Sequence, residues 1–281
     1  MWDVSRVLFE AGPLELRWYS LLFAVGIVLA YLVERWVFRG EGWKMDDLDS
    51  VVVYLFIGLV VGARLGEVFF YHPDYYLSHP AEILKVWKGG LASHGATIGL
   101  LVSYLLFLAV RGWRAGHGVV AGVRRDFWKY VDGIAIGMPL VAGFVRLGNF
   151  FNSEIVGRAT GSDFGVVFVR NGEDFARHPV QLYEMLLAWS VFALMFLMWK
   201  KKRDRREAGK ASGLIGKKGF FVFFFIGTYF AGRFALEFFK EYQVLPGSGG
   251  WAMGLTMGQV LSVVPVLIAL GWFGWQFFRK K

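Results

Sequence analysis

The residues best suited to chemistry gather in the stretch 141–158, VAGFVRLGNFFNSEIVGR, where Arg146, Asn149, Asn152 and Glu154 interrupt a run otherwise apolar enough to cross a membrane. An arginine at the centre of a membrane helix is unfavourable by roughly 2.5 to 3.5 kcal/mol on insertion scales, and such residues usually face a polar cavity or pair with a partner. Arg146 and Asn149 are three apart, so on a helix they share a face. A guanidinium fork beside an amide suits an anionic, oxygen-rich group, for which phosphate is the natural match. The competing reading is an ion pair of Arg146 with Glu154 or Glu184.

Other candidates are spread along the chain. Tyr229, Arg233 and Glu237 follow i, i+4, i+8 spacing and line one helical stripe, with the alternative that Arg233 and Glu237 pair with each other. His94 lies in GGLASHGATIG and is a candidate neutral-pH base. Arg64 and Glu67 read either as a packing pair or as site residues. His72, His79 and His178 neighbour prolines, where local turn hydrogen bonding competes with a site role. Glu34 and Asp132 fall near helix ends and read as interfacial. No histidine and carboxylate set has convincing metal spacing, so neither metal nor cofactor is expected. Gly247-Ser248-Gly249 reads as loop.

The elements that position these residues follow from composition. A chain of 281 residues that is 56% hydrophobic and 18% aromatic lies outside the soluble globular class. The absence of cysteine excludes disulfides, thiolate metal sites and a cysteine nucleophile. The amino terminus lacks the pattern of a removable signal peptide, so the first span is expected to serve as its own insertion signal. Seven apolar stretches near 19–38, 51–70, 91–110, 131–151, 180–199, 219–239 and 257–278 approach the roughly 20 residues a span requires. The fold class expected is therefore all-α, a single polytopic membrane domain over 1–281 with a small external loop at 152–179. Trp18, Trp113, Trp128, Trp199, Trp251 and Trp275 sit close to the expected ends, as an interfacial aromatic belt predicts. In that loop FGVVFVR at 164–170 suggests a strand leading into a turn at Asn171-Gly172, and Gly12-Pro13 and PGSGG at 246–250 read as turns. Residues 71–90 suggest a short interfacial helix.

Basic residues set the expected orientation. One set of segments (35–50, 111–130, 200–218, 279–281) holds 20 Lys and Arg, and the opposite set holds 8. The positive-inside rule then places the amino terminus outside and the carboxyl terminus in the cytoplasm. Most of the +9 charge is explained by topology rather than nucleic-acid binding, and Lys200–Lys210 reads as an anchor at anionic lipid. Only Arg64, Arg146 and Arg233 fall inside spans, 6, 5 and 6 residues before the outer ends. At about 1.5 Å per residue they lie roughly 7 to 9 Å below the outer boundary. Tyr19, His94, Tyr183 and Glu184 enter at similar depth on the inward-running helices.

These residues resemble the prolipoprotein diacylglyceryl transferase family. RLGNFFNSEIVGR at 146–158 resembles its signature, supported by RWY at 17–19, GARLGEVFFY at 62–71, KGGLASHGATIG at 88–99, HPVQLYE at 178–184 and YFAGRFALEFFK at 229–240. The resemblance implies seven spans and transfer of the diacylglyceryl group of phosphatidylglycerol to the lipobox cysteine thiol of a prolipoprotein, releasing glycerol phosphate, in the bacterial inner membrane. By motif position it implies functional roles for Tyr19, His94, Arg146, Asn149, Glu154, Gly157, Arg233 and Glu237. Partners would be phosphatidylglycerol, the prolipoprotein signal region and membrane lipids. Ala96 and Lys240 depart from the usual glycine and arginine, and the external loop is short. The alternative is a transporter or flippase for anionic lipids, which would be expected to show inverted repeats and a midplane site; no repeat is visible. A retinal-type receptor is disfavoured, since 257–278 has no lysine.

Overall fold

The computed structural model describes residues 1–12, 14–241 and 255–279. In chain order these form β1 (Val7–Ala11), β2 (Leu14–Arg17), α1 (Trp18–Glu41), α2 (Met45–Phe70), α3 (Pro73–Ser78), α4 (Ser93–Arg114), α5 (Val119–Ile134), α6 (Met138–Phe151), α7 (Val180–Glu207), α8 (Phe220–Leu236) and α9 (Met257–Phe278). The protein is an all-α, multi-pass membrane protein. Six helices are long and apolar enough to span, and α5 with α6 makes a seventh if that bent pair is one span.

The fourth expected span differs from the structure. The apolar run at 131–151 is not one helix: the chain bends by 46° between α5 and α6. At about 1.5 Å per residue, 14-residue α6 measures only about 21 Å against a core of about 30 Å. Pro139 in the first turn of α6 has no N–H to donate, and its ring would clash with the carbonyl one turn back in a continuous helix. The Gly137 N–H at the break is shared between Ile134 O at 3.2 Å and Glu34 Oε1 at 2.9 Å. Glu34 is thus a buried cap rather than an interfacial carboxylate. Asp132 caps too, with Oδ1 accepting from the N–H groups of Phe221 and Val222, at 2.7 and 3.0 Å, at the start of α8. The expected cytoplasmic loop at 111–130 contains most of α5.

Two compact units divide the chain: Arg35–Tyr130, and Met1–Glu34 together with Val131–Lys281. In the first unit α2 and α4 pack backbone to backbone. A methyl group added at Gly99 would lie 2.0 Å from the Gly58 carbonyl oxygen, and one at Gly62 2.4 Å from that of Gly95. Small residues at such spacing let membrane helices approach where bulk hydrophobicity gives no driving force. The expected short helix at 71–90 is α3, followed by 3-10 turns at Pro80–Leu84 and Val86–Lys88.

In the second unit Gly143 receives the Trp189 indole of α7, whose Nε1 donates to Leu140 O at 3.3 Å. Phe223 of α8 stacks on Trp272 of α9 at 5.1 Å. The antiparallel hairpin β1–β2, with Gly12 at φ 59°, was not expected from the sequence beyond its turn. The strand expected at 164–170 does not form. Val166 bridges Arg177, Phe168 bridges Trp2, and Val169–Asn171 closes a 3-10 turn ending at left-handed Gly172. Gly165, at φ 125°, breaks the run so that no ladder builds. The turn at 246–250 and Trp251 lie outside the described residues.

Candidate active site

The second unit gathers most of the expected residues into one polar cluster. α6 carries Arg146 and Asn149 on a shared face. Arg146 Nε lies 2.8 Å from Glu184 Oε2, and its Nη1 donates to Asn149 Oδ1 at 3.2 Å. The hydroxyl of Tyr229 on α8 is a third neighbour and interacts favourably with the guanidinium charge. The structural alternative for Arg146 is therefore half right: Glu184, 1% exposed on α7, is its counter-ion. The arginine is held from three directions and still has donors to spare, since it carries five N–H groups.

Asn149 is buried and passes the chain of contacts outward. Its Nδ2 donates to Glu154 Oε1 at 2.7 Å, and Asn152 Nδ2 reaches the same oxygen at 3.3 Å. Glu154 is held by its own backbone as well, its carbonyl accepting from Gln181 Nε2 at 2.7 Å. It stands between Ser153 and Ile155, both at positive φ (54° and 57°). For a β-branched residue that conformation is a true outlier, and strain of this kind costs of order 1–3 kcal/mol. The strained turn presents Glu154 to Asn149 instead of letting the chain run on.

Tyr19, the second residue of α1, packs closely against Gly148 of α6. A methyl group at Gly148 would sit 2.7 Å from Tyr19 Cδ2. Gly157 is a packing point: its N–H donates to His178 O at 3.1 Å, and a methyl group there would meet that oxygen at 2.4 Å. It bridges Lys240, fastening the external loop to the end of α8.

On α8 the stripe holds for Tyr229 and Arg233 but turns at its end. The helix stops at Leu236, and Glu237 opens a 3-10 turn. The carboxylate of Glu237 lies 3.7 Å from Lys240 Nζ and against Gly258 in the first turn of α9, where the helix dipole favours negative charge. The alternative pairing of Arg233 with Glu237 is not made. Half-buried Arg233 has no ion pair or side-chain hydrogen bond among the described residues, one helical turn from Tyr229. Lys240 Nζ also lies 3.6 Å from Glu184, so that carboxylate serves two cations.

Arg177 staples the external loop. Nε donates to Glu173 at 2.6 Å, and Nη1 reaches the Gly157 carbonyl and Glu241 Oε1, each at 3.0 Å. Burial works against its charge, but the hydrogen bonds to Glu173 and Glu241 win and raise its pKa further.

His94 and Arg64 belong to the first unit. His94 is exposed in the first turn of α4, its ring without a hydrogen-bond partner among the described residues. Arg64 is 4% exposed and directs its guanidinium at five backbone carbonyls: Ile83, Gly89, Gly90, Glu82 and Lys85. Five acceptors match its five N–H donors. It thus organises the segment leading into α4, while its expected packing partner Glu67 pairs with His72 at 2.9 Å. His79 bonds Tyr75 O locally, and His178 lies 3.3 Å from the Tyr183 hydroxyl.

A family model described as prolipoprotein diacylglyceryl transferase matches residues 6–275. The chain belongs to that family. Among relatives named phosphatidylglycerol–prolipoprotein diacylglyceryl transferase, that of Tolumonas auensis is 38% identical over 269 residues, 96% of this chain and 94% of the relative. That of Chloroherpeton thalassium is 38% identical over 269 residues, covering 96% and 91%. That of Porphyromonas gingivalis is 37% identical over 285 residues, covering 96% and 92%. Gly148, Gln181 and Arg177 also hold the cluster and were not expected from sequence, where Glu184 entered as a competing partner of Arg146 at the same depth. HPVQLYE carried a usable signal for two of them, since Gln181 and Glu184 stand three apart at the start of an apolar helix.

Proposed function

We propose that this transferase moves the diacylglyceryl group of phosphatidylglycerol onto the lipobox cysteine of a prolipoprotein, the first step of lipoprotein maturation, in a bacterial inner membrane. The site would lie toward the outer leaflet. Membership of the family supports the reaction. The observation in the site that carries the reading is the pair of arginines, one locked and one free. Arg146 is fixed by Glu184, Asn149 and Tyr229, while Arg233, a turn beyond Tyr229, keeps all its donors among the described residues.

In the reaction a sulfur–carbon bond forms as the bond between glycerol carbon and phosphate oxygen breaks. The thiol proton leaves to a base, and the electron pair of the broken bond departs on glycerol phosphate. Arg233 and the spare donors of Arg146 would bind that phosphate and meet the charge it gains, which is worth most where water is excluded. Tyr19 and Asn149 would orient head-group oxygens. Glu154, Glu184 and Glu237 are each committed to holding a neighbour, which suits positioning better than proton transfer. His94 would take the proton, since the thiolate is the nucleophile. Arg64, with every donor spent on carbonyls, would order the segment before His94 rather than touch lipid. Gly157 would act through the loop it fastens.

The test is a product balance. Purified protein, phosphatidylglycerol and a lipobox peptide should yield one glycerol phosphate for each thioether-linked diacylglyceryl peptide, and a Cys→Ser peptide should yield neither. Glycerol phosphate released without peptide modification, or lipid moved between leaflets without acceptor, would contradict the reading.

A further inference from the structure

The first unit carries a feature that the transfer reaction does not use. Beside the glycine seam, α2 and α4 leave an apolar groove of about 740 Å³. Its walls are Val53, Ile57 and Val61 on α2 and Ile98, Val102 and Leu106 on α4, each between 48% and 56% exposed. The groove exists because the glycines bring two backbones together under tall aliphatic side chains. From Val53 to Phe69 it runs about 24 Å, longer than the roughly 15 Å of one leaflet.

At the end far from His94 the groove meets a polar pocket of about 340 Å³, and Tyr54 lines both. The pocket adds Lys44, Ser50, Arg111 and Arg114, with Asp46 and Asp47. Most of these charges are already spent. Arg111 holds both Asp47 oxygens at 2.9 and 3.0 Å and also Asp126, and the Tyr130 hydroxyl donates to Asp47 at 2.7 Å. Lys44 and Arg114 are exposed and have no side-chain partner among the described residues. With Asp46 they leave the pocket one positive charge in excess.

We propose that this groove and pocket together bind an anionic phospholipid, its phosphate between Lys44 and Arg114 near the Ser50 hydroxyl and one acyl chain in the adjoining half of the groove. An apolar channel of more than leaflet depth that opens into a basic mouth matches the amphiphile in both shape and charge. Basic pockets between helices are a general form of head-group site. The lipid would be a resident one, bound at the opposite end of α4 from His94, and the proposal does not rest on the transfer reaction.

The experiment is native mass spectrometry of the full chain in the Arg233→Ala background, which weakens the other phosphate site. Phosphatidic acid is compared with phosphatidylethanolamine of the same chains. The protein should retain phosphatidic acid preferentially. Lys44→Gln with Arg114→Gln should weaken that retention about 30-fold, the loss of each basic residue lowering affinity about fivefold. Ile57→Trp, which fills the groove without touching the mouth, should reduce retention of both lipids. Equal retention of the two lipids, retention unchanged in the charge variant, or a groove occupied by a second copy of the chain with no lipid bound would overturn the proposal.

Discussion

Replacing Gly148 by alanine tests whether Tyr19 must sit where it does. The added methyl carbon would lie 2.7 Å from Tyr19 Cδ2 and 3.3 Å from Tyr19 Cα, and Gly148 is buried in α6. Carbon atoms rest at about 3.5 to 4.0 Å, so the ring must retreat by roughly 1 Å. Overpacking of this kind costs about 1–3 kcal/mol, a modest loss for a helical bundle. Misplacement of a positioning group by about 1 Å can lower a rate by about 10²-fold. Gly148→Ala is therefore expected to fold, to melt slightly lower, and to lose rate far beyond its loss of stability. The assay is thioether formation on a lipobox peptide, with thermal unfolding of the same sample in detergent. Tyr19→Phe should lose rate too, and the double variant should lose little more than the worse single one, since both act through one ring. A wild-type rate in Gly148→Ala, or fully additive losses, would show that the position of the Tyr19 ring does not limit transfer.

Glu184→Gln keeps the shape of a side chain that is 1% exposed but removes the charge facing Arg146 and Lys240. Breaking a buried pair costs about 3–5 kcal/mol when a partner is lost outright, so the isosteric change should cost about 2–3 kcal/mol, read by thermal unfolding. Arg64→Lys exchanges a planar fork for a point charge and cannot serve five carbonyls. Amide exchange across residues 82–90 should rise while that of α7 stays unchanged, and equal protection in both would count against the clamp. His94→Gln should lower transfer by about 10²- to 10⁴-fold and flatten the limb of the pH profile that a base produces. An unchanged rate and profile would remove His94 from the base role.

The spans were legible because lipid imposes a simple requirement: about 20 apolar residues with their backbone satisfied internally. The expected 257–278 coincides with α9, and the expected start at Val180 with that of α7. The break in 131–151 was not legible from hydropathy, which is continuous there. Its causes are Pro139 and a distant carboxylate, Glu34, that accepts from the Gly137 N–H at the break. The external loop misled for the same reason. Val166 and Phe168 have strand-forming composition, but their partners are Arg177 and Trp2, which no local pattern announces.

The central cluster was readable as far as residue type reached. Arg146 and Asn149 meet on the face their spacing suggested, and Glu154 joins them through Asn149 instead of pairing with Arg146. What spacing could not give is who holds whom. Arg64 and Arg233 look alike in sequence, each six residues from the end of a span with a glutamate nearby. In the structure one has every donor on a carbonyl and the other has none engaged among the described residues. The difference comes from segment 82–90 folding back over Arg64, a tertiary event.

That contrast makes Arg233 the most direct test of the account. Arg146→Ala would strip the buried Glu184 of the nearer of its two cations and confuse lost chemistry with lost stability, whereas Arg233→Ala leaves no described counter-ion behind. The measurement is mass spectrometry of a lipobox peptide incubated with phosphatidylglycerol and either wild type or Arg233→Ala, with thermal unfolding of both. The account predicts unchanged unfolding and diacylglyceryl transfer reduced about 10²- to 10³-fold, the loss expected when one donor to a developing anion is removed. Full transfer by a well-folded Arg233→Ala protein would contradict it.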